Sequence, residues 1–215
     1  YSLLKDLSEQ GTQVFYTTHS TEFVNLDQYE SVNIVRKDPS KGTYICQGKN
    51  IVIDSSSREK LKLTTEFDNT RNEIFFAQKV LIVEGDCEKN ALPYLFQLKN
   101  IDINKESISI INARSVTNIK FFLKIVKELG IPFAVLMDTH SNKPNYEEFY
   151  LPLNTEIINL AGEKNVFMMD PDFEEVFGLP EKGDKVRNAV ERARTMQVNE
   201  IPKEINDTIN RMQEL

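Results

Sequence analysis

The chain has 215 residues, 40% hydrophobic and 27% charged, with a formal net charge of −7 and two cysteines. That is the composition of an ordinary globular chain, long enough for one large or two small domains. It argues against a sequence-independent polyanion binder, a helix crossing a membrane (no apolar run approaches ~20 residues) and a disulfide framework, because Cys46 and Cys87 form no CxxC.

The start, YSLLKDLSEQ, is an amphipathic helix pattern without a basic signal-peptide start or an initiator methionine, so a cytoplasmic piece of a longer protein is expected. Gln13–Thr17 (QVFYT) reads as a short buried strand, followed by Thr18-His19-Ser20 and a short helix around Glu22–Leu26. Ser31–Arg36 and Thr43–Cys46 alternate like a hairpin, with Pro39 and Gly42 in the turn. Arg58–Asn69 is polar and reads as a helical connector, and Asn72–Gln78 leads into a second unit. From Lys79 the pattern changes to strands at Val80–Val83, Ser107–Ile111, Phe133–Met137 and Val166–Met169. Helices are expected at Asp86–Leu98, Asn118–Leu129 (with Gly130 as C-cap) and Tyr146–Ile158, then at Phe173–Phe177, Lys182–Arg194 and Lys203–Gln213. Alternating strand and helix predicts right-handed βαβ units, and continuous apolar strands predict a parallel sheet covered on both faces.

In such sheets function gathers beyond the carboxyl ends of the strands. The first strand there ends in Glu84, the third in Asp138, and the fourth is followed by Asp170-Pro-Asp172-Phe-Glu174-Glu175. Glu88 lies one helical turn past Glu84, and Gly85 is expected to turn the backbone between them. Asp86 is expected to cap the helix, and Asp170 and Glu175 to face solvent. Acids converging on one sheet edge repel each other unless cations neutralise them. Hard oxygen ligands favour Mg²⁺ or Mn²⁺, and two such ions suit in-line phosphoryl transfer.

These marks resemble a TOPRIM domain, and more narrowly the OLD-family (overcoming lysogenization defect) nucleases, a class that includes the Gabija defence nuclease. The resemblance rests on FFAQKVLIVEGDCEKNALPYL at 75–95, AVLMDTHSN at 134–142, DPDFEEVFGL at 170–179 and KGDKVRNAVERA at 182–193. It implies an α/β fold: a TOPRIM-type parallel sheet flanked by helices over residues 79–215, with C-terminal helices. Before it would come the C-terminal remnant of an ABC-type ATPase domain at 1–54 and a helical connector at 55–78. QVFYTTHSTEFVNL at 13–26 is similar to the last strand and switch-histidine loop of such an ATPase, with His19 sensing the nucleotide. The chain lacks GxxxxGK[ST], so ATP is expected only with a complete ATPase domain.

The same resemblance implies that Glu84, Glu88, Asp138, Asp172 and Glu174 are metal ligands, with Glu84 also positioning the attacking water. Lys185 would neutralise charge on the scissile phosphate, with Lys182 its rival. One departure stands out. The family has Asp-x-Asp after the third strand, and this chain has Asp138-Thr139-His140. His140 is then a bystander, a ligand that favours Mn²⁺, or the mark of a weakly held second metal.

A DNA partner needs local positive charge. Lys182, Lys185, Arg187, Arg192 and Arg194 supply it on one helix, and Lys120, Lys124 and Lys127 share a face of another. No aromatic stacking platform is evident, so backbone recognition is expected. The leading reading is a metal-dependent DNA endonuclease or nickase in phage defence or DNA processing. It would be controlled by an ATPase domain, with a helicase as a candidate partner, and homo-oligomeric in the full-length context. The alternative is a non-catalytic TOPRIM module for DNA binding or assembly, which His140 favours. Primase or topoisomerase chemistry is a third, without a nucleotide site or a tyrosine in context. The final helix offers Ile205, Ile209 and Met212 as core or interface.

Overall fold

The computed structural model describes residues 2–24, 31–38, 40, 42–47, 71–180 and 182–215. The chain divides into two compact units, Tyr1–Phe76 and Ala77–Leu215. In the first, helix α1 (Ser2–Glu9) buries none of its residues. Strands β1 (Asn33–Asp38) and β2 (Gly42–Gln47) pair antiparallel, from Asn33 opposite Gln47 to Asp38 opposite Gly42. The hairpin expectation agrees, although Pro39 lies outside the described residues, as do the connector helix Arg58–Asn69 and Leu26.

The expected strand at Gln13–Thr17 is not formed. Phe15 is 84% exposed and no strand among the described residues lies beside it. A lone strand leaves its backbone groups unpaired, so an apolar run without a neighbour does not become one. The segment instead closes on itself locally: the Tyr16 hydroxyl donates to Phe23 O at 2.7 Å, next to a 3₁₀ turn at Thr21–Phe23. Asn72, in a second 3₁₀ turn at Arg71–Phe75, donates to Thr21 O and Val24 O, both at 3.1 Å.

The second unit holds a four-stranded parallel sheet. Its strands are β3 (Lys79–Val83), β4 (Ile108–Asn112), β5 (Phe133–Asp138) and β6 (Val166–Met169), in spatial order β4-β3-β5-β6. Val83 pairs with Asn112 on one side and Leu136 on the other. The chain therefore leaves β3 toward one edge and returns on its other side as β5, a topological switch between two adjacent strands.

Strand alternation sends Leu81, Val83, Ile108, Ile110, Ala134 and Leu136 to one face. There they join α2 (Asp86–Leu98), α6 (Lys185–Thr195) and α7 (Lys203–Glu214) in one buried cluster. Ile205, Ile209 and Met212 are fully buried in it, so the stripe on the last helix is core. The other residues of β3 and β5, Val80, Ile82, Val135 and Met137, are fully buried toward the opposite face. The helices α3 (Val116–Glu128) and α4 (Leu151–Ala161) follow β4 and β5, and both bury an apolar stripe. Burial of each such side chain contributes roughly 1.5–3 kcal/mol, which explains why the apolar strands take the centre.

Local signals set the ends of α3. Ser115 Oγ accepts from Thr117 N at 3.3 Å, so the helix starts two residues before the expected Asn118. At the other end Gly130 is left-handed at φ +60°, Ile131 N donates to Val126 O and Gly130 N to Lys127 O. This is the double bond pattern of a Schellman stop, and Pro132 follows it. Before α4, a π-helical turn spans Tyr146–Tyr150, so the expected single helix is two pieces. A four-residue helix α5 (Phe173–Val176) follows β6.

Candidate metal centre

Glu84 is the first residue after β3 and Asp138 the last of β5, so the switch between neighbouring strands sets two carboxylates side by side. Asp138 N donates to Glu84 Oε2 at 3.3 Å, and Phe173 N donates to Asp138 Oδ1 at 2.8 Å. His140 completes the group: its Nε2 lies 2.9 Å from Glu84 Oε1. One ligand atom from each of Glu84, Asp138 and His140 falls within 4.8 Å of the others.

His140 is held firmly. It is a non-glycine residue in the left-handed region at φ +58°, a conformation that costs energy and is kept only where its surroundings impose it. Its N–H donates to Pro171 O at 2.8 Å, and its ring lies 4.4 Å from that of Tyr150. Among the described residues its Nδ1 is buried without a partner, and the ring's one polar contact is Glu84.

The flanking residues brace this loop. Thr139 Oγ1 donates to Asp170 Oδ1 at 2.6 Å, and Ser141 Oγ donates to the same oxygen. These hydroxyls hold the Asp170 carboxyl below its usual range. Asp170 is exposed, as expected, yet it clasps the two sides of the site together. The buried Asn154 donates to Thr139 O at 2.9 Å from α4. Sequence reasoning missed this clasp. Its one linear signal is the pair of hydroxyls flanking His140.

Gly85 and Asp86 differ from expectation. Gly85 is extended at φ −137° and ψ −176°, a conformation open to any residue, so it makes no special turn. What it leaves is room: a Cβ there would stand 3.1 Å from Glu88 Oε2. Asp86 makes no side-chain cap either, because the N-cap position is Gly85, and its Oδ1 accepts from Asn112 Nδ2 at 2.7 Å.

Electrostatics register the crowding. Burial, with Glu84 and Glu88 next, pushes Asp138 up from 3.8 to about 9. Burial, together with Glu84 and Glu174, pushes Glu88 up from 4.5 to about 7, against the lowering pull of the Glu88 and Gly85 amides. Carboxylates this close and this buried fit a divalent cation, which supplies the positive charge they lack. The donor set, two carboxylates and an imidazole, is one that such ions accept. Cys87 is no competitor, because burial and its acidic neighbours push its thiol up to about 12.

The other acids surround the group rather than join it. Asp172 caps α5, accepting from Glu175 N at 2.9 Å, and its charge contributes to the shift on Asp138. Glu174 accepts from Lys185 Nζ at 3.0 Å and bears on Glu88. Lys185 opens α6, half-exposed, and the Glu174 carboxylate raises its pKa. Lys182 is exposed just before that helix, and Arg187 pairs with Glu191 at 2.8 Å. His19 is exposed in the first unit.

Two surfaces read differently in three dimensions. Lys120 pairs with Glu156 at 2.7 Å, and Lys127 donates to Leu160 O at 2.6 Å, so these two lysines engage α4, while Lys124 between them is exposed. Conversely, aromatic rings do gather near the site: Phe149, 44% exposed, meets Tyr150 edge-on at 5.0 Å, and Tyr150 packs on His140. Phe149 and Tyr150 are sequence neighbours in the π-helical turn; what the sequence pattern hid is that Tyr150 packs against His140.

Comparison with known proteins agrees with this geometry. Residues 75–139 match the family described as overcoming lysogenization defect protein-like, TOPRIM domain. The chain is similar to the OLD nuclease of Thermus scotoductus, 27% identical over 220 residues that cover 94% of this chain and 42% of that protein. It also resembles the Old nuclease of Escherichia phage P2, 28% identical over 139 residues, 63% of this chain and 23% of that protein. The chain thus spans less than half the length of these relatives. Among solved structures, the C-terminal region of the Burkholderia pseudomallei OLD protein superposes with a TM-score of 0.53 at 19% identity, covering 65% of this chain and 98% of that one. Residues 75–139 thus match the OLD-like TOPRIM family, and the sheet with its helices has the fold of the OLD C-terminal region.

Proposed function

We propose that this OLD-like TOPRIM chain is a divalent-metal-dependent DNA endonuclease or nickase that hydrolyses phosphodiester bonds. The observation that carries the reading is the set of Glu84, Asp138 and His140 ligand atoms within 4.8 Å at the switch of a parallel sheet. The relatives named above as nucleases support it.

In this reading Glu84 and Asp138 hold Mg²⁺ or Mn²⁺ at the centre, and Glu88, Asp172 and Glu174 help hold a second ion. Bound divalent cations supply Lewis acidity for the attacking water and the leaving oxygen. Glu84 orients the water. Lys185 leaves Glu174 to meet the scissile phosphate, so the ion pair seen here is its resting contact. Lys182, Arg187 and the exposed Lys124 are the backbone contacts toward DNA; Lys120 falls behind them, because Glu156 of α4 already engages it. The finer proposal rests on the resemblance alone. It holds that residues 1–54 are the end of an ABC-type ATPase domain with His19 toward its nucleotide. ATP would then act through the complete domain, in phage defence or DNA processing. A helicase partner and a homo-oligomer belong to the same picture. The second reading, a non-catalytic DNA-binding or assembly module, draws on His140 standing where the family has an acid.

A plasmid-nicking assay with Mg²⁺, Mn²⁺ and Ca²⁺ separates them. The nuclease reading expects nicking with Mg²⁺ or Mn²⁺, none with Glu84→Gln, and a fall of roughly 10²-fold with Lys185→Ala while metal binding persists. Nicking that survives Glu84→Gln would remove the site assignment, and DNA binding without nicking under any metal would favour the module.

A further inference from the structure

We propose that His140 is a nitrogen ligand to the cation held by Glu84 and Asp138, and that it biases this centre toward Mn²⁺ over Mg²⁺. The inference rests on the metal-dependent reading above and narrows it to the choice of ion.

Three observations carry it. First, His140 Nε2 and Glu84 Oε1 point at each other across 2.9 Å, and both lie with an Asp138 oxygen inside a 4.8 Å group. With the ring proton on Nδ1, which is buried without an acceptor among the described residues, Nε2 presents a lone pair where it otherwise shares a proton with Glu84 Oε1, and both atoms can then bind one ion. Second, the ring is committed to this place. It is 13% exposed, packed 4.4 Å from Tyr150, and has no second polar partner among the described residues to draw it away. Third, the backbone spends energy to aim it there, with a left-handed φ of +58° fixed by the N–H bond to Pro171 O. A bystander histidine requires none of the three.

The chemistry then follows from ligand softness. Mg²⁺ keeps a nearly all-oxygen shell and gives up its waters reluctantly, whereas imidazole suits the transition metals. Replacing one carboxylate by imidazole also removes a negative charge, which weakens the hold on Mg²⁺ more than on Mn²⁺. Mn²⁺ is favoured somewhat even by oxygen sites, so the informative quantity is the change in preference when the nitrogen is removed.

The test uses the full chain and the metals alone, without DNA. Calorimetry gives the Mn²⁺ and Mg²⁺ affinities of the wild type, His140→Asp, His140→Ala and Glu84→Gln, and pulsed electron paramagnetic resonance of bound Mn²⁺ reports nitrogen coordination. The wild type is expected to show a ¹⁴N coupling to Mn²⁺ that both His140 variants lose. His140→Asp is expected to narrow the Mn²⁺-to-Mg²⁺ preference by about tenfold or more, by tightening Mg²⁺. Mn²⁺ bound at full occupancy without a ¹⁴N coupling, or a preference unchanged in His140→Asp, would overturn the proposal and leave the metal site standing. Mn²⁺ binding that survives Glu84→Gln undiminished would instead overturn the site itself. A circular dichroism melt keeps unfolded variants from being counted as either result.

Discussion

Asp138 is a carboxyl that burial and its acidic neighbours raise to about 9, and Glu88 is raised to about 7. Without a cation the folded state therefore binds more protons than the unfolded chain between the ordinary carboxyl range and these values. Stability must then fall as pH rises through that window. The metal-free protein is expected to melt lower at pH 8.5 than at pH 5.5, and saturating Mn²⁺ to remove most of the difference by taking the place of the protons. Asp138→Asn should flatten the metal-free profile and raise the melting temperature at pH 8.5; a profile as steep as wild type would show that other groups govern it. Gly85 is a second case at this scale. A methyl at 85 would stand 3.1 Å from Glu88 Oε2, close enough to displace the carboxylate by a few tenths of an ångström, while the extended backbone tolerates alanine. Gly85→Ala is expected to lower nicking by roughly tenfold with its melting temperature unchanged within about 2 °C. Equal loss of both would mean that the glycine serves the fold.

At the scale of elements, legibility followed whether a signal was local. Val166–Met169 and Asp86–Leu98 emerge with the expected bounds, and Val80–Val83 differs by one residue, because an apolar run and a helical stripe state their own limits. Gln13–Thr17 has the same apolar character and fails, because a strand is a property of a pair. The site divides the same way. Glu84 and Asp138 were legible as acids at strand ends. The Asp170 clasp, the Tyr150 ring and the partnering of Lys120 with Glu156 depend on what the loops and α4 bring from afar. Gly130 tests the local kind of signal. Its φ of +60° closes the Schellman stop that aims the chain into β5. Gly130→Ala should cost about 1–2 kcal/mol, a melting temperature lower by roughly 3–6 °C. Metal affinity should be unchanged, since the substitution sits at the start of β5 and Asp138 at its end. It is thus the mirror of Gly85→Ala, and a result in which both variants behave alike would contradict the division between stop and site.

At the scale of the molecule, the candidate centre and the core beneath it belong to one unit, Ala77–Leu215. The buried cluster under the sheet runs from Leu81 to Met212, and the residues that brace the site, Thr139, Ser141, Asn154, Asp170 and Tyr150, lie inside the same span. A span of that size buries enough surface to fold by itself. The last helix cannot be spared, however, because Ile205, Ile209 and Met212 are fully buried in that cluster. Two truncations should therefore behave in opposite ways. Residues 77–215 alone are expected to melt in one cooperative transition and to bind Mn²⁺ within about threefold of the full chain's affinity, a difference of less than about 0.7 kcal/mol. A chain ending at residue 200 should lose the cooperative transition, because the apolar side chains left uncovered by α7 are each worth roughly 1.5–3 kcal/mol. Calorimetric melts and Mn²⁺ titration of both decide the matter. If 77–215 does not fold, residues 1–76 are part of what holds the second unit together, and the proposed scheme of a separate ATPase remnant fails with it.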